Sequence, residues 1–167
     1  MEESVRAKFK EFLKKLQMPQ DGRMMSGKQR VAVKDLISVV QMLRYSAENM
    51  SAATVGVVLT RIGGLIASKE LEGSTATGKE LVSSCLEELS VKGWGVFTAD
   101  PEADGGEVVL KNSAIAQEYA VKGKVDYIAV GIITALYEKA FKRKYIVHEV
   151  KCIASGDDAC KFSVKPR

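Results

Sequence analysis

Histidine is nearly absent from this chain: His148 is the single one in 167 residues, which leaves little room for a Ser–His–Asp type of hydrolytic site. Nucleotide-binding signatures are missing too. There is no Gly-x-Gly-x-x-Gly and no phosphate-binding loop, and RIGGLIAS at Arg61–Ser68 is a glycine-bearing helical stretch rather than a nucleotide cradle. No run reaches the ~18 consecutive apolar residues that cross a bilayer; the longest, Tyr127 to Tyr137, is about half that length. The opening, MEESVRAKFKEFLKKL, is amphipathic rather than an apolar signal core, so a cytoplasmic protein without a membrane partner is expected. Neither sign of charge dominates. A net charge of +4, with the basic residues spread along the chain, gives little support for a nucleic-acid partner. Cysteine is sparse, at three residues, and in a reducing cytosol paired cysteines are metal ligands or free thiols more often than disulfides.

What is present is 46% apolar content, enough for one good core. Val5, Phe9, Phe12, Leu13 and Leu16 recur at steps of three and four, so residues 1–20 read as an amphipathic helix with a lysine-rich outer face, stopped by Pro19 and QDGR. Such an arm packs on the domain, forms a dimer or docks a protein partner. The domain itself is expected over 21–167. It opens with a strand-like piece at Arg30 to Val33 and a helix carrying Leu36, Val39, Val40 and Leu43. A second helix starts at Ser51, and its Gly56, Gly63 and Gly64 would each cost about 1 kcal/mol against alanine unless a backbone or ligand comes close. A third carries Leu81, Cys85 and Leu89 on one stripe, which reads Cys85 as a core thiol.

WGVFTA, DPEADGG and EVVLKN then form a hairpin, YIAVGIITALYEKAFKRK a strongly apolar helix, and YIVHEVKCIA, SGDD and ACKFSVK a second hairpin. The expected class is therefore α+β: an antiparallel sheet made of hairpins with helices packed against it, plus the N-terminal helix.

With the last turn centred on Gly156, Cys152 and Cys160 face each other, Cβ atoms ~4.5–5.5 Å apart. That spacing suits two thiolates on one zinc, whose sulfurs sit a little under ~4 Å apart in tetrahedral geometry. It also admits free thiols or a strained disulfide, and the residues alone leave the three open. Strand alternation puts His148 on the Cys152 face, while Glu149 reaches that face only through a bulge.

HEVKCIASGDDACKFSV, preceded by VDYIAVGIITALYEKAFKRKYIV, resembles the C-terminal signature of the 4-vinyl reductase domain family: an apolar glycine-containing helix, Glu-x-x-Cys, a Gly-Asp turn and a second Cys before an aromatic residue. The resemblance extends back to about Arg23, through GRMMSGKQRVAV. It implies a zinc site with Glu149, Cys152 and Cys160 as ligands, and Asp126 where relatives have a further cysteine. It thus takes the glutamate over His148. An aspartate makes the site harder and weaker for zinc than three sulfurs would. Four protein ligands would make the zinc structural; without Asp126 a position opens, and Glu149 or His148 could then act as acid or base.

The resemblance also implies a dimeric small-molecule sensor, of a fold similar to domains of nitric-oxide signalling and Golgi transport, binding an apolar or aromatic ligand. Trp94, Phe97, Tyr119 and Tyr127 are the candidates for its pocket wall, with core or interface roles as the alternative. An interaction scaffold without ligand, and an accessory protein of tetrapyrrole or vinyl-group reduction, are the competing functions.

Overall fold

The computed structural model describes residues 2–17, 24–26, 29–31, 45, 50–117 and 123–167. The sequence leads to two units of local structure, helices with glycine faces and hairpins with polar turns, and these meet in one core. An N-terminal helix α1 (Glu2–Lys15) is followed by three short strands, β1 (Leu16–Gln17), β2 (Met24–Ser26) and β3 (Gln29–Val31), in a small antiparallel sheet. The helix expected around Leu36 to Leu43 lies outside the described residues. Then come α2 (Ala52–Glu70), α3 (Gly78–Val91), the hairpin β4 (Val96–Ala99) and β5 (Gly106–Lys111), α4 (Tyr127–Phe141), and the hairpin β6 (Tyr145–Lys151) and β7 (Cys160–Pro166). The second half is thus helix, hairpin, helix, hairpin, in an α+β arrangement as the sequence predicts.

The main sheet is antiparallel throughout, in the order β4-β5-β7-β6. Alternation decides its inner face: Cys160, Phe162 and Val164 of β7 point inward, and across the ladder Leu110 stands opposite Cys160 and Val108 opposite Phe162. Against this face α3 lies over β4 and α4 over β6. Leu81, Val82, Leu89, Ile132, Ile133, Leu136 and Tyr137, each 2% exposed or less, fill the space between. Cys85 is buried on the α3 stripe with Leu81 and Leu89, and burial pushes its thiol pKa up, as befits a core thiol. The N-terminal helix leans on α3, where Lys8 Nζ meets Glu87 Oε2 at 2.6 Å, and leaves Phe9 and Leu13 exposed.

The glycines of α2 have a definite use. Ser51 caps the helix, its Oγ accepting from Thr54 N–H at 3.2 Å. Further along, α2 and α4 press backbone to backbone. A Cβ on Gly63 would sit 2.1 Å from Ile128 O, and one on Gly131 would sit 1.9 Å from Thr60 O. Gly64 is different, with open space where its Cβ would be. The outward side of α2 exposes Val57, Val58, Ile62 and Leu65. By length and composition this helix could cross a membrane, with mean hydropathy 1.3 over an 18-residue window, although no single uninterrupted apolar run is that long.

The close pair gives a clean test. Gly63→Ala and Gly131→Ala should each lower unfolding free energy by roughly 1–3 kcal/mol through overpacking, whereas Gly64→Ala should raise it by about 1 kcal/mol through helix propensity. Urea unfolding of the three variants checks this; equal effects at all three positions would contradict the close approach.

Candidate metal centre and apolar groove

The last hairpin is not regular. Pairing steps from Glu149 opposite Phe162 to Lys151 opposite Lys161, so one residue, Val150, is extra on β6 and stands exposed. This bulge lets Glu149 and Cys152, three apart, both face inward. His148 consequently lies on the exposed side of β6, opposite Ser163. Alternation favours His148 for the cysteine face, and the bulge reverses that order.

Beyond Cys152 the chain makes a single 3-10 turn, Ile153–Ser155, closed by Gly156 at φ +94°, a left-handed conformation that favours glycine. Asp157 ties the turn back on itself, since its Oδ2 accepts from Cys152 N–H at 2.9 Å. The Gly-Asp pair in the signature therefore has a mechanical role: it aims Cys152 at Cys160. Ile153 N–H points at Cys160 Sγ, 3.5 Å away.

The two sulfurs are 3.9 Å apart, and both residues are fully buried. A disulfide would bring them to ~2.05 Å, so these are free thiols, spaced close to the roughly 3.8 Å edge of a tetrahedral zinc–thiolate site. A carboxylate oxygen of Glu149 joins them, and the three ligand atoms lie within 4.8 Å of one another. Glu149, Cys152 and Cys160 are thus close enough to hold a metal ion. Glu149 Oε2 accepts the Asp126 N–H at 3.1 Å, while Oε1 is buried with no hydrogen-bond partner among the described residues. An orphaned, buried carboxylate oxygen beside two thiols is the donor chemistry a cation satisfies.

Asp126 sits at the N-cap of α4, 2% exposed, and is not one of that three-residue group. Its Oδ1 accepts from Ala129 N–H at 3.3 Å, and its Oδ2 from the Ser113 hydroxyl at 2.5 Å. Ser113 in turn is held by Ala116 N–H, 3.1 Å from its Oγ. Sequence reasoning misses Ser113. It sits 13 positions from Asp126 and no local pattern marks it.

Protonation follows from burial. Desolvation pushes Glu149 up to about 9, helped by the neighbouring Cys152, and pushes Asp126 up to about 6. The thiols diverge: the Cys160 S–H donates to Cys152, holding Cys152 down at about 5 and Cys160 well above the ordinary thiol range. Glu149 keeps a proton it would lose unfolded, and Cys152 loses one it would keep. Between about pH 5 and about 9 these opposite shifts cancel, leaving little pH dependence of metal-free stability from this pair. Asp126 alone adds stability at acid pH that is lost as pH rises through about 6.

Of the aromatic candidates, Phe97 is in the core and Trp94 is half-buried against it. Tyr119 lies outside the described residues. Tyr127 lines an open groove of about 600 Å³ between the starts of α2 and α4, with Ala52, Ala53, Gly56, Val57, Thr60 and Arg61. Gly56 makes room for the tyrosine ring, since a Cβ there would sit 3.2 Å from Cε1.

Protons give the test of the centre. Near pH 7 a metal must displace those on Glu149 and Cys160, so binding should release about two protons and weaken about 100-fold per pH unit toward acid. Calorimetry in buffers of different ionisation enthalpy measures the release; a value near zero would contradict the assignment.

Residues 107–166 match the family model of the 4-vinyl reductase domain. Among curated proteins, the chain is 32% identical to the uncharacterised protein MJ1460 of Methanocaldococcus jannaschii over 100 residues, 53% of this chain and 59% of that protein. A second protein of that organism, MJ0745, is 34% identical over 56 residues, 34% of this chain and 31% of its own length. The match thus spans less than two thirds of either relative. Among solved structures, the phenol-responsive sensory domain of the transcription activator PoxR superposes with a TM-score of 0.72 at 13% identity, over 97% of this chain and 90% of that one. A vinyl-4-reductase family protein of M. jannaschii gives 0.52 at 15% identity, over 82% and 98%. A trafficking protein particle complex subunit 3 from Naegleria fowleri (0.54, 12% identity, 79% and 95%) and an H-NOX protein from K. algicida (0.54, 13%, 95% and 85%) share the fold. The hairpin signature, the domain match over it and the common fold place this chain, through its residues 107–166, in the 4-vinyl reductase domain family.

Proposed function

We propose that the chain is a small-molecule-binding sensor module, with a structural zinc held by Glu149, Cys152 and Cys160. The observation that carries the binding role is the apolar groove at Tyr127, in a fold whose solved examples include a phenol-responsive sensory domain and a subunit covalently bound to palmitic acid. Its lining, alanine, glycine, valine and one tyrosine, favours an apolar or aromatic ligand. The zinc would tie β6 and β7 to the start of α4, replacing the covalent clamp that a disulfide gives.

Tyr127 and Asp126 are neighbours in sequence. One ring faces the groove and the preceding N–H holds Glu149, so a ligand that shifts the start of α4 reaches the metal hairpin within one peptide unit. The output then passes through a homodimer or a protein partner in the cytoplasm, with the partly exposed Phe9 and Leu13 of α1 as its contact. The exposed side of α2, with Val57 at 70% and Leu65 at 65%, supports a second reading, an interaction scaffold without ligand.

Native mass spectrometry of protein purified without added metal should show one zinc per chain and a dimer. Cys152→Ser or Cys160→Ser should release the metal and lower the melting temperature by about 5 °C or more; unchanged melting curves would leave two free thiols instead. In a thermal-shift panel of phenols and long-chain acids, at least one class should stabilise the wild type and not Tyr127→Ala. A panel without any shift, with the dimer intact, would favour the scaffold.

A further inference from the structure

Relatives with a fourth cysteine close the site with protein ligands, and the aspartate in that place invites the same role. Its surroundings argue otherwise. Both oxygens of Asp126 already accept hydrogen bonds, one from the Ser113 hydroxyl and one from Ala129 N–H at the start of α4. Ser113 is itself fixed by Ala116 N–H and is 1% exposed, so releasing Asp126 would strand a buried hydroxyl as well as uncap the helix. The backbone N–H of the same residue holds Glu149 Oε2, which leaves Glu149 Oε1 as the unpartnered atom among the described residues. The three atoms that lie within mutual reach come from Glu149, Cys152 and Cys160.

We infer that Asp126 is a positioning residue and not a ligand: Ser113 and Asp126 orient the Glu149 carboxylate, and the fourth position on the metal belongs to a water that a small anion or thiolate can replace. The inference rests on the metal reading of the three donors. Tetrahedral zinc with three protein ligands keeps one exchangeable position, and a carboxylate that orients a ligand from behind tunes affinity without entering the coordination sphere. The site then does two things. It clamps the hairpin through three protein donors, and it accepts one small donor of the azide or thiolate class.

Cobalt(II) reports both features, because its visible bands follow the donor set. The wild type should take up one cobalt with a two-thiolate spectrum, and millimolar azide should shift the bands. Asp126→Asn should keep the band positions and the azide response while weakening affinity by roughly 10–100-fold. Ser113→Ala should do the same more mildly, and Glu149→Gln should change the spectrum itself. Uptake with a spectrum blind to azide, or an Asp126→Asn spectrum that changes donor pattern, would overturn this inference and leave the metal reading standing. No uptake by the wild type would overturn both.

Discussion

A carboxylate buried at the end of β6 is the constraint on which the rest of this structure turns. Glu149 is 8% exposed and has no cationic side chain paired with it among the described residues, a placement that costs several kcal/mol for an ionised group unless donors or a cation satisfy it. The protein supplies one donor, the Asp126 N–H, and leaves the other oxygen beside two thiols. Each local irregularity nearby serves that arrangement. The bulge at Val150 turns the carboxylate inward, the left-handed Gly156 and the Asp157 bond turn Cys152 toward it, and the N-cap aspartate anchors the helix that carries the donor.

That helix, α4, joins the two regions of chemical interest. Along one side Gly131 meets Thr60 of α2 with no room for a side chain, so α2 and α4 share a rigid seam. Along the other, Ile132, Ile133, Leu136 and Tyr137 are buried in the core between α4 and its neighbours. Its first residues stand at the groove and at the metal centre together. A fold in which one rigid helix touches ligand space at its first turn and a metal clamp just before it has a short physical route between the two.

Much of this is legible in the sequence, and the reasons are local. Apolar periodicity and polar turns give the helices and both hairpins in the described residues, and the spacing of Cys152 and Cys160 about Gly156 places the sulfurs face to face. The glycines of α2 announce close approach at Gly63; Gly64, counted with it, meets nothing. The choice between His148 and Glu149 is not legible from alternation, because a one-residue bulge reverses the parity of a strand and leaves no compositional trace. Ser113 is invisible for another reason: it reaches Asp126 through tertiary folding across 13 positions. Tyr119 and the stretch from Leu36 to Leu43 fall outside the described residues.

The central claim is that Glu149, Cys152 and Cys160 together hold a metal ion. X-ray absorption at the zinc edge of the purified protein tests it most directly, because it counts donors by type and distance. The account predicts two sulfurs at ~2.3 Å and two oxygens at ~2.0–2.2 Å. A shell of three or four sulfurs, or a protein that retains no metal with both thiols free, would contradict it.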